Sequence, residues 1–173
     1  MKKSHIDRYP EEISLGLPPE KINKILFELL KEKYTDKEIK NLILKKTDIL
    51  LPVSIFRNKL STLEIIVKYL KENLKLKNHD IAKLLNRTEK TVWSAYKRAL
   101  KKNIQLEITE SKITVPIKIF YDRRFSSLES LVAYLKSNMV SFSQIADLLS
   151  LSYKTVYTVY SRYKMKKQAK VAK

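Results

Sequence analysis

Apolar side chains recur every three or four positions in residues 81–92, which is the spacing of an amphipathic helix. The run is interrupted once, at Asn86, a residue that tolerates the left-handed conformation in which many helices end. Thr88 follows at a position suited to cap a second helix. The pattern therefore predicts a short helix, a tight turn and a second helix.

The same pattern returns 64 residues later, in residues 145–156. Ser150 stands at the turn, where it fits less well than Gly or Asn would, and Ser152 takes the capping position. An apolar segment with a proline at its second position, which we expect to be extended, also precedes each copy, in residues 51–56 and 115–120. The internal repeat therefore extends well beyond the turn.

Caps and inner faces predict the remaining helices. Within the two repeats, capping boxes open three helices, at Ser61, Ser126 and Ser141, and we expect Asn78 to cap a helix over residues 79–85. The second helix of each copy is predicted to run from Glu89 to about Lys102 and from Tyr153 to about Lys166. The predicted core positions around the first turn are Ile81, Leu84, Leu85, Val92, Ala95 and Ala99.

These elements predict a mainly all-α fold, in which a helical hairpin precedes two tandem three-helix units and short extended segments lie between. Residues 104–119 alternate between apolar and polar positions, which predicts a short hairpin or an extended linker. The helices in residues 19–46 are expected to pack on the first unit or on another subunit, with a degenerate third repeat as the alternative. The segments are 1–50 for the hairpin, 51–103 for the first unit, 104–114 for the linker, 115–167 for the second unit and 168–173 for a basic tail.

The motif Ile-Ala-x-x-Leu-(turn)-x-Thr/Ser-x-x-Thr-Val resembles the helix-turn-helix of LuxR-type regulators and of the promoter-reading fourth region of bacterial sigma factors. The flanking Pro-x-x-Ile-Phe and Leu-Glu-x-x-Val-x-Tyr-Leu sequences resemble small helix-turn-helix proteins of archaea with reduced genomes. The resemblance covers residues 51–102 and 115–167. It implies that the helix after each turn enters the major groove of DNA and reads bases there. The base-reading residues that it implies are Lys90, Trp93, Ser94 and Lys97 in the first copy, and Lys154, Tyr157, Thr158 and Ser161 in the second.

Helical periodicity adds detail to these reading faces. Trp93 and Tyr157 occupy matching positions, and helical periodicity places both on the outer face. Two interpretations are open for both residues: contact with DNA, or packing in the core. Tyr96 and Tyr160 also match, and their positions favour core packing. For Arg98 and Arg162, phosphate contact and a structural ion pair are both open.

The charge balance favours a polyanionic partner. The chain carries 36 basic and 18 acidic residues, for a net charge of +18. Residues 1–50 hold 11 basic and 9 acidic groups, residues 51–110 hold 13 and 6, and residues 111–173 hold 12 and 3. Because the excess follows the two repeats, nucleic acid is the simplest partner.

Composition argues against several other classes. The chain has no cysteine, two histidines and one glycine, so we expect no disulfide, no metal site, no cofactor and no Gly-rich phosphate loop. No nucleophile–base pair or paired carboxylates suggest an enzyme. No apolar run is long enough for a bilayer and no signal peptide opens the chain. We therefore expect a cytoplasmic, nucleoid-associated protein without a membrane partner or an evident small-molecule substrate.

The repeat, the resemblance and the charge together predict a DNA-binding protein that reads adjacent major-groove sites on double-stranded DNA, in the role of a transcription regulator. An architectural or mobile-element DNA-binding protein is the alternative, and a structured-RNA binder is a third. A homodimer through the N-terminal hairpin is left open. Because the copies differ on their reading faces, the two half-sites need be neither palindromic nor identical.

Overall fold

The computed structural model of the chain describes residues 35, 49–109, 111, 113–138 and 140–169. The hairpin expected in residues 19–46, its packing and the third-repeat alternative lie outside the described residues, and so does the tail beyond residue 169. Within the described residues the fold is mainly α-helical, as the sequence predicts.

Two units of matching element order follow each other along the chain. Each consists of a short strand, a 3-10 helix and three α-helices. In the first unit these are β1 (Leu50–Pro52), a 3-10 helix (Val53–Arg57), α1 (Thr62–Glu72), α2 (Asn78–Leu84) and α3 (Glu89–Lys101). In the second they are β2 (Thr114–Pro116), a 3-10 helix (Ile117–Phe120), α4 (Ser127–Ser137), α5 (Phe142–Leu149) and α6 (Tyr153–Gln168).

The turns and their caps follow the predicted local geometry. Asn86 and Ser150 both adopt left-handed backbone conformations, with φ of 50° and 51°. The side chain of Thr88 accepts a hydrogen bond from the amide of Thr91 at 3.2 Å, and Ser152 makes the equivalent bond in the second unit. Each turn is therefore fixed by one left-handed residue and one capping hydroxyl, so the serine at the second turn does what the asparagine does at the first.

The predicted capping boxes at Ser61, Ser126 and Ser141 are all present. The prediction that Asn78 caps its helix is wrong. Asn78 is the first helical residue, and the cap position is Lys77, which makes no side-chain capping bond. The amide oxygen of Asn78 instead accepts a hydrogen bond from the ammonium group of Lys71 at 2.7 Å.

The inner faces differ from the prediction at one position. Ile81, Leu85 and Val92 are buried, but Leu84 is only partly buried and packs at the edge of the core. At 100° per residue, Leu84 and Leu85 point in different directions, and the core lies on the side of Leu85. The larger penalty for truncation is therefore expected at Leu85.

The extended segments are shorter than predicted. Each strand ends at its proline, after which the chain tightens into a 3-10 helix. Val53, Ser54, Ile55 and Phe56 all belong to the first of these 3-10 helices and are all buried. The prediction of an extended segment is therefore wrong beyond Pro52, and equally beyond Pro116.

The two strands pair with each other, which joins the units. They form an antiparallel two-stranded sheet in which Leu51 lies opposite Val115. These two residues are equivalent positions of the repeat, and both are fully buried. The flanking pairs are Leu50 with Pro116 and Pro52 with Thr114. In the repeat, Leu50 is equivalent to Thr114 and Pro52 is equivalent to Pro116. Exchanging the two units therefore turns one flanking pair into the other, so a local twofold axis at the central pair of Leu51 and Val115 relates the strands.

Backbone hydrogen bonds beyond the strands obey the same symmetry. The amide of Val53 donates to the carbonyl oxygen of Ile113 at 3.1 Å. The equivalent amide of Ile117 donates to the carbonyl oxygen of Ile49 at 2.8 Å. The alternating segment around residue 114 thus pairs with the strand that opens the first unit and not with residues 104–109.

Side chains near the axis merge the units into one hydrophobic core. The rings of the equivalent residues Phe56 and Phe120 lie 6.3 Å apart, and α1 packs on α4. The symmetry breaks at the 3-10 helices, because the first packs on α5 of the other unit as well as on α1 of its own, whereas the second packs chiefly on α4 of its own unit. One extra residue between Phe120 and Ser126, relative to the first unit, accompanies this difference.

Candidate nucleic-acid interface

The outer face of α3 presents the residues that the sequence singles out. Val92, Ala95 and Ala99 are buried against α1 and α2, so the opposite side of the helix faces outward. There Lys90 and Lys97 are exposed, Trp93 is 52% exposed, and Ser94 lies partly buried between them. Neither lysine forms an ion pair within the described residues. These four side chains therefore form one surface, the first reading face, whose two positive charges are not neutralised.

The outer face of α6 is the second reading face. Lys154 and Thr158 are exposed, Tyr157 is 53% exposed, and Ser161 is partly buried. The hydroxyl of Thr158 donates to the carbonyl oxygen of Lys154 at 2.8 Å, so its proton is engaged by the helix and its oxygen remains able to accept. The structure thus brings together on each helix the four residues assigned to it, with fewer positive charges on the second.

Aromatic packing distinguishes the two faces. Phe142 lies edge-on to Tyr157 and Tyr160, with ring centroids 5.7 and 5.2 Å away, and Tyr153 stacks on Tyr157 at 6.5 Å. The ring of Tyr157 is therefore held in place from two sides. Within the described part of the chain, no other ring lies against Trp93.

The position of Phe142 is polar in the first unit. Asn78 stands there, and Lys71 bonds its side chain and also lies 4.9 Å from the ring centre of Tyr96. The hydroxyl of Tyr96 donates to a carboxylate oxygen of Glu72 at 3.2 Å. Tyr96 and Tyr160 are both partly buried, in agreement with the predicted core packing.

One acidic residue stands at the start of the first reading face. The carboxylate of Glu89 lies 3.0 Å from the imidazole Nδ1 of His79, and both side chains are exposed. A carboxylate here would repel phosphate. The equivalent of Glu89 in the second unit is Tyr153, which is not an acidic residue.

The ends of α1 and α3 are tied together by a buried carboxylate. Glu64 is 3% exposed, and its oxygens accept hydrogen bonds from the amide of Ser61, from Arg98 Nε at 3.1 Å and from Lys102 Nζ at 2.8 Å. For Arg98, the ion pair is thus the arrangement present in this structure. Arg162, at the equivalent position, is exposed and forms no ion pair within the described residues.

The second unit repeats this tie. Glu129 is 5% exposed and accepts from the amide of Ser126 at 2.8 Å and from Lys166 Nζ at 2.7 Å. Burial alone would raise the pKa of both glutamates. Each carboxylate, however, accepts hydrogen bonds from a lysine (Lys102 for Glu64, Lys166 for Glu129) and from its cap amide. These bonds outweigh the effect of burial and lower the pKa of each glutamate. Each reading helix is therefore anchored at its far end to the helix that supports it.

These pKa shifts predict an acid-dependent loss of stability. A carboxyl whose pKa is lower in the folded than in the unfolded chain stabilises the fold fully above its ordinary pKa of 4.5, and the contribution is lost as the pH falls towards its folded pKa. The double variant Glu64→Gln and Glu129→Gln should be less stable than the native chain at pH 7. The stabilities of the two proteins should converge as the pH falls from 4.5 through the lowered pKa of the two carboxyls, as measured by urea unfolding across the pH range.

The glutamine variants keep the capping geometry, as Gln144 does in α5, so they isolate the charge. Glu107→Gln is the control, because Glu107 is exposed and lies outside these ties. A native-to-variant difference in unfolding free energy that stays constant from neutral to acid pH would contradict the prediction.

Sequence reasoning missed these ties, although a signal was present. Lys102 and Lys166 are equivalent in the repeat, and Glu64 and Glu129 occupy the same position of the two capping boxes.

The described residues contain no group of three or more His, Cys, Asp or Glu side chains placed to hold a metal ion. In the same part of the chain, none of the helices combines the length and the apolar character needed to traverse a bilayer.

Comparison with known proteins leaves the resemblance of the motif as a prediction. No protein-family model, no curated protein and no solved structure matches this chain.

Proposed function

We propose that this protein binds double-stranded DNA through two helix-turn-helix units, α2–α3 and α5–α6, and acts as a transcription regulator. The observation that carries the proposal is the presence of two matched, exposed helical faces with unneutralised lysines, built on one continuous core. Lysine can donate to guanine O6 and N7 or to phosphate, hydroxyls can bond either partner of a base pair, and aromatic rings can contact the thymine methyl group. Each face carries all three kinds of group.

The supporting elements suit insertion into a groove. Helix α3 has 13 residues, which at 1.5 Å per residue is about 20 Å long, enough to follow a major groove across several base pairs. The ties between Glu64 and Lys102 and between Glu129 and Lys166 hold the far ends of α3 and α6. A pre-positioned helix loses less conformational freedom on binding, which favours affinity.

The local twofold axis suggests how the two half-sites are oriented. A protein with twofold symmetry binds half-sites that are inverted relative to each other. The tandem order of the copies along the chain does not decide this orientation, because the paired strands relate the units by rotation. We infer that one chain reads an inverted pair of half-sites within about 20 base pairs. The halves differ in sequence, since Lys97 faces one half where Ser161 faces the other.

The difference between the reading faces also favours sequence recognition over coating of DNA. Trp93, Ser94 and Lys97 in one unit correspond to Tyr157, Thr158 and Ser161 in the other. A protein that only neutralises phosphates needs charge at these positions and no particular hydrophobic or hydroxyl groups. The +18 net charge is the feature that favours the architectural alternative.

Selection from random duplexes with the whole chain tests the proposal. We expect an enriched motif of two unequal, inverted half-sites. Reversing one half-site in place should weaken binding at least about tenfold, because that reading helix then loses its base contacts, each worth about 1–3 kcal/mol. A duplex with the same half-site scrambled is the control and should bind as weakly as the reversed one.

The other outcomes discriminate among the alternatives. Tight duplex binding without an enriched motif supports the architectural role. Preference for a folded RNA over every duplex supports RNA binding. Equal affinity for inverted and direct arrangements contradicts the twofold orientation while leaving DNA binding intact, and the absence of any duplex binding contradicts the proposed function itself.

A further inference from the structure

A cavity of about 530 Å³ lies between the two units. The first turn borders it through Arg87, and the second turn borders it through Leu151, the equivalent residue of the repeat. Its volume lies within the range of small-molecule sites, about 300–1,000 Å³. An occupant of this cavity would contact both units at once.

The cavity walls combine apolar and cationic groups. The apolar part includes side chains from the loops before α1 and α4 and from those helices themselves, among them Leu60, Leu63, Phe125, Leu128 and Leu131. Four cationic side chains also line it, from Arg87, Arg123, Arg124 and Lys166. No acidic side chain lines the cavity within the described residues, so the charge of its wall is positive.

Two of these cations are already neutralised. Arg124 Nε donates to a carboxylate oxygen of Asp122 at 2.9 Å, and Lys166 is bound to Glu129. The cap amides at the cavity edge are also satisfied, since Ser61 and Ser126 donate to their own capping glutamates. An additional anion would therefore meet Arg87 and Arg123, and not the helix ends.

Arg87 and Arg123 come from different units and have no anionic partner within the described residues. The Nε atom of Arg87 is buried and makes no hydrogen bond there. Burial, together with the positive charge of Arg123, lowers the pKa of Arg87. Burial and the like charge of Arg123 both disfavour the cationic form of Arg87, so an anion that bridged the two guanidinium groups would relieve their mutual repulsion.

We propose that this cavity binds a small amphipathic anion, a carboxylate or a phosphate monoester on an apolar body, with its charged group between Arg87 and Arg123. Guanidinium groups bind such oxygens in pairs of parallel hydrogen bonds. The leucine and phenylalanine side chains of the wall would cover the apolar body. A phosphate of the DNA backbone fits less well, because it would leave this apolar wall uncovered.

Calorimetric titration of the whole chain tests the chemistry of the ligand. The probes are decanoate, decyl phosphate, decanol and inorganic phosphate. We expect one site for decanoate or decyl phosphate, and whichever binds more tightly identifies the head group. Decanol and inorganic phosphate should bind at least about tenfold more weakly, because decanol lacks the anionic head group and inorganic phosphate lacks the apolar body. Decanol binding as tightly as both anions, or inorganic phosphate binding as tightly as decyl phosphate, would overturn the proposal.

Arginine variants locate the site. Arg123→Gln, in an exposed loop, and Arg87→Gln should each weaken binding of the preferred anion about tenfold or more, as expected for loss of a charged hydrogen bond. Arg57→Gln is the matched control, because Arg57 is an exposed arginine that does not line the cavity. If Arg57→Gln weakens binding as much as Arg123→Gln, the anion is attracted by general charge and the site is not this cavity. Since Arg123 is exposed, its variant tests the site even where Arg87→Gln fails to fold.

Discussion

Replacing Lys90, Trp93 and Lys97 together by alanine should reduce affinity for the selected DNA by at least about two orders of magnitude. Three groups would be lost from one reading face, and a good base contact contributes about 1–3 kcal/mol. The slope of log affinity against log salt should become shallower by about two, because two cations no longer displace counterions. The thermal melt should change little, since all three side chains are exposed. Fluorescence anisotropy at several salt concentrations measures the affinity and the slope.

The matched control removes two positive charges from elsewhere on the first unit. Arg57 ends the 3-10 helix of the first unit, Lys59 lies in the loop before α1, and both are exposed. Replacing them by alanine should leave the selected motif unchanged and lower affinity far less than the triple variant does. If the control lowers specific affinity as much as the triple variant, the outer face of α3 is not a reading face. If the triple variant unfolds the chain, Trp93 contributes to the core despite its exposure.

Val115→Asp should unfold the entire chain and not only its second half. Val115 is fully buried opposite Leu51 on the local twofold axis. A carboxylate there has no cation to pair with in the strand sheet, and burying it costs several kcal/mol against a typical total stability of about 5–15 kcal/mol. Because the core is continuous between the units, the loss should reach both. Hydrogen exchange resolved by residue measures where protection is lost.

Thr109→Asp is the control, since Thr109 is exposed and contributes its backbone carbonyl, not its side chain, to a bond with Ser54. Its stability should lie within about 0.5 kcal/mol of the native chain, as is usual for surface substitutions. Amides of α1, α2 and α3 that stay protected in Val115→Asp would mean that the first unit folds independently. The shared sheet would then be a contact between separate domains and not part of one cooperative unit.

Local sequence rules decided much of the candidate site. The turns at Asn86 and Ser150, the hydroxyl caps at Thr88 and Ser152 and the capping boxes all involve bonds between residues a few positions apart. The outward position of Trp93 follows from helical periodicity in the same way. Such features depend on backbone geometry and side-chain chemistry within one or two turns, so a single sequence is enough to predict them.

Tertiary structure decided the features that join distant parts of the chain. The sequence by itself determined that two similar units exist and which helical faces are polar, but it assigned the segment before the second unit to a linker. The alternating pattern of this segment is typical of a strand but does not determine which other strand it pairs with. Only the folded chain shows that its partner is Leu50–Pro52. The same holds for Glu64 with Lys102, and for Arg87 beside Arg123, because their proximity depends on how the helices pack. Periodicity and capping describe one element at a time, whereas these contacts are fixed by the path of the whole chain.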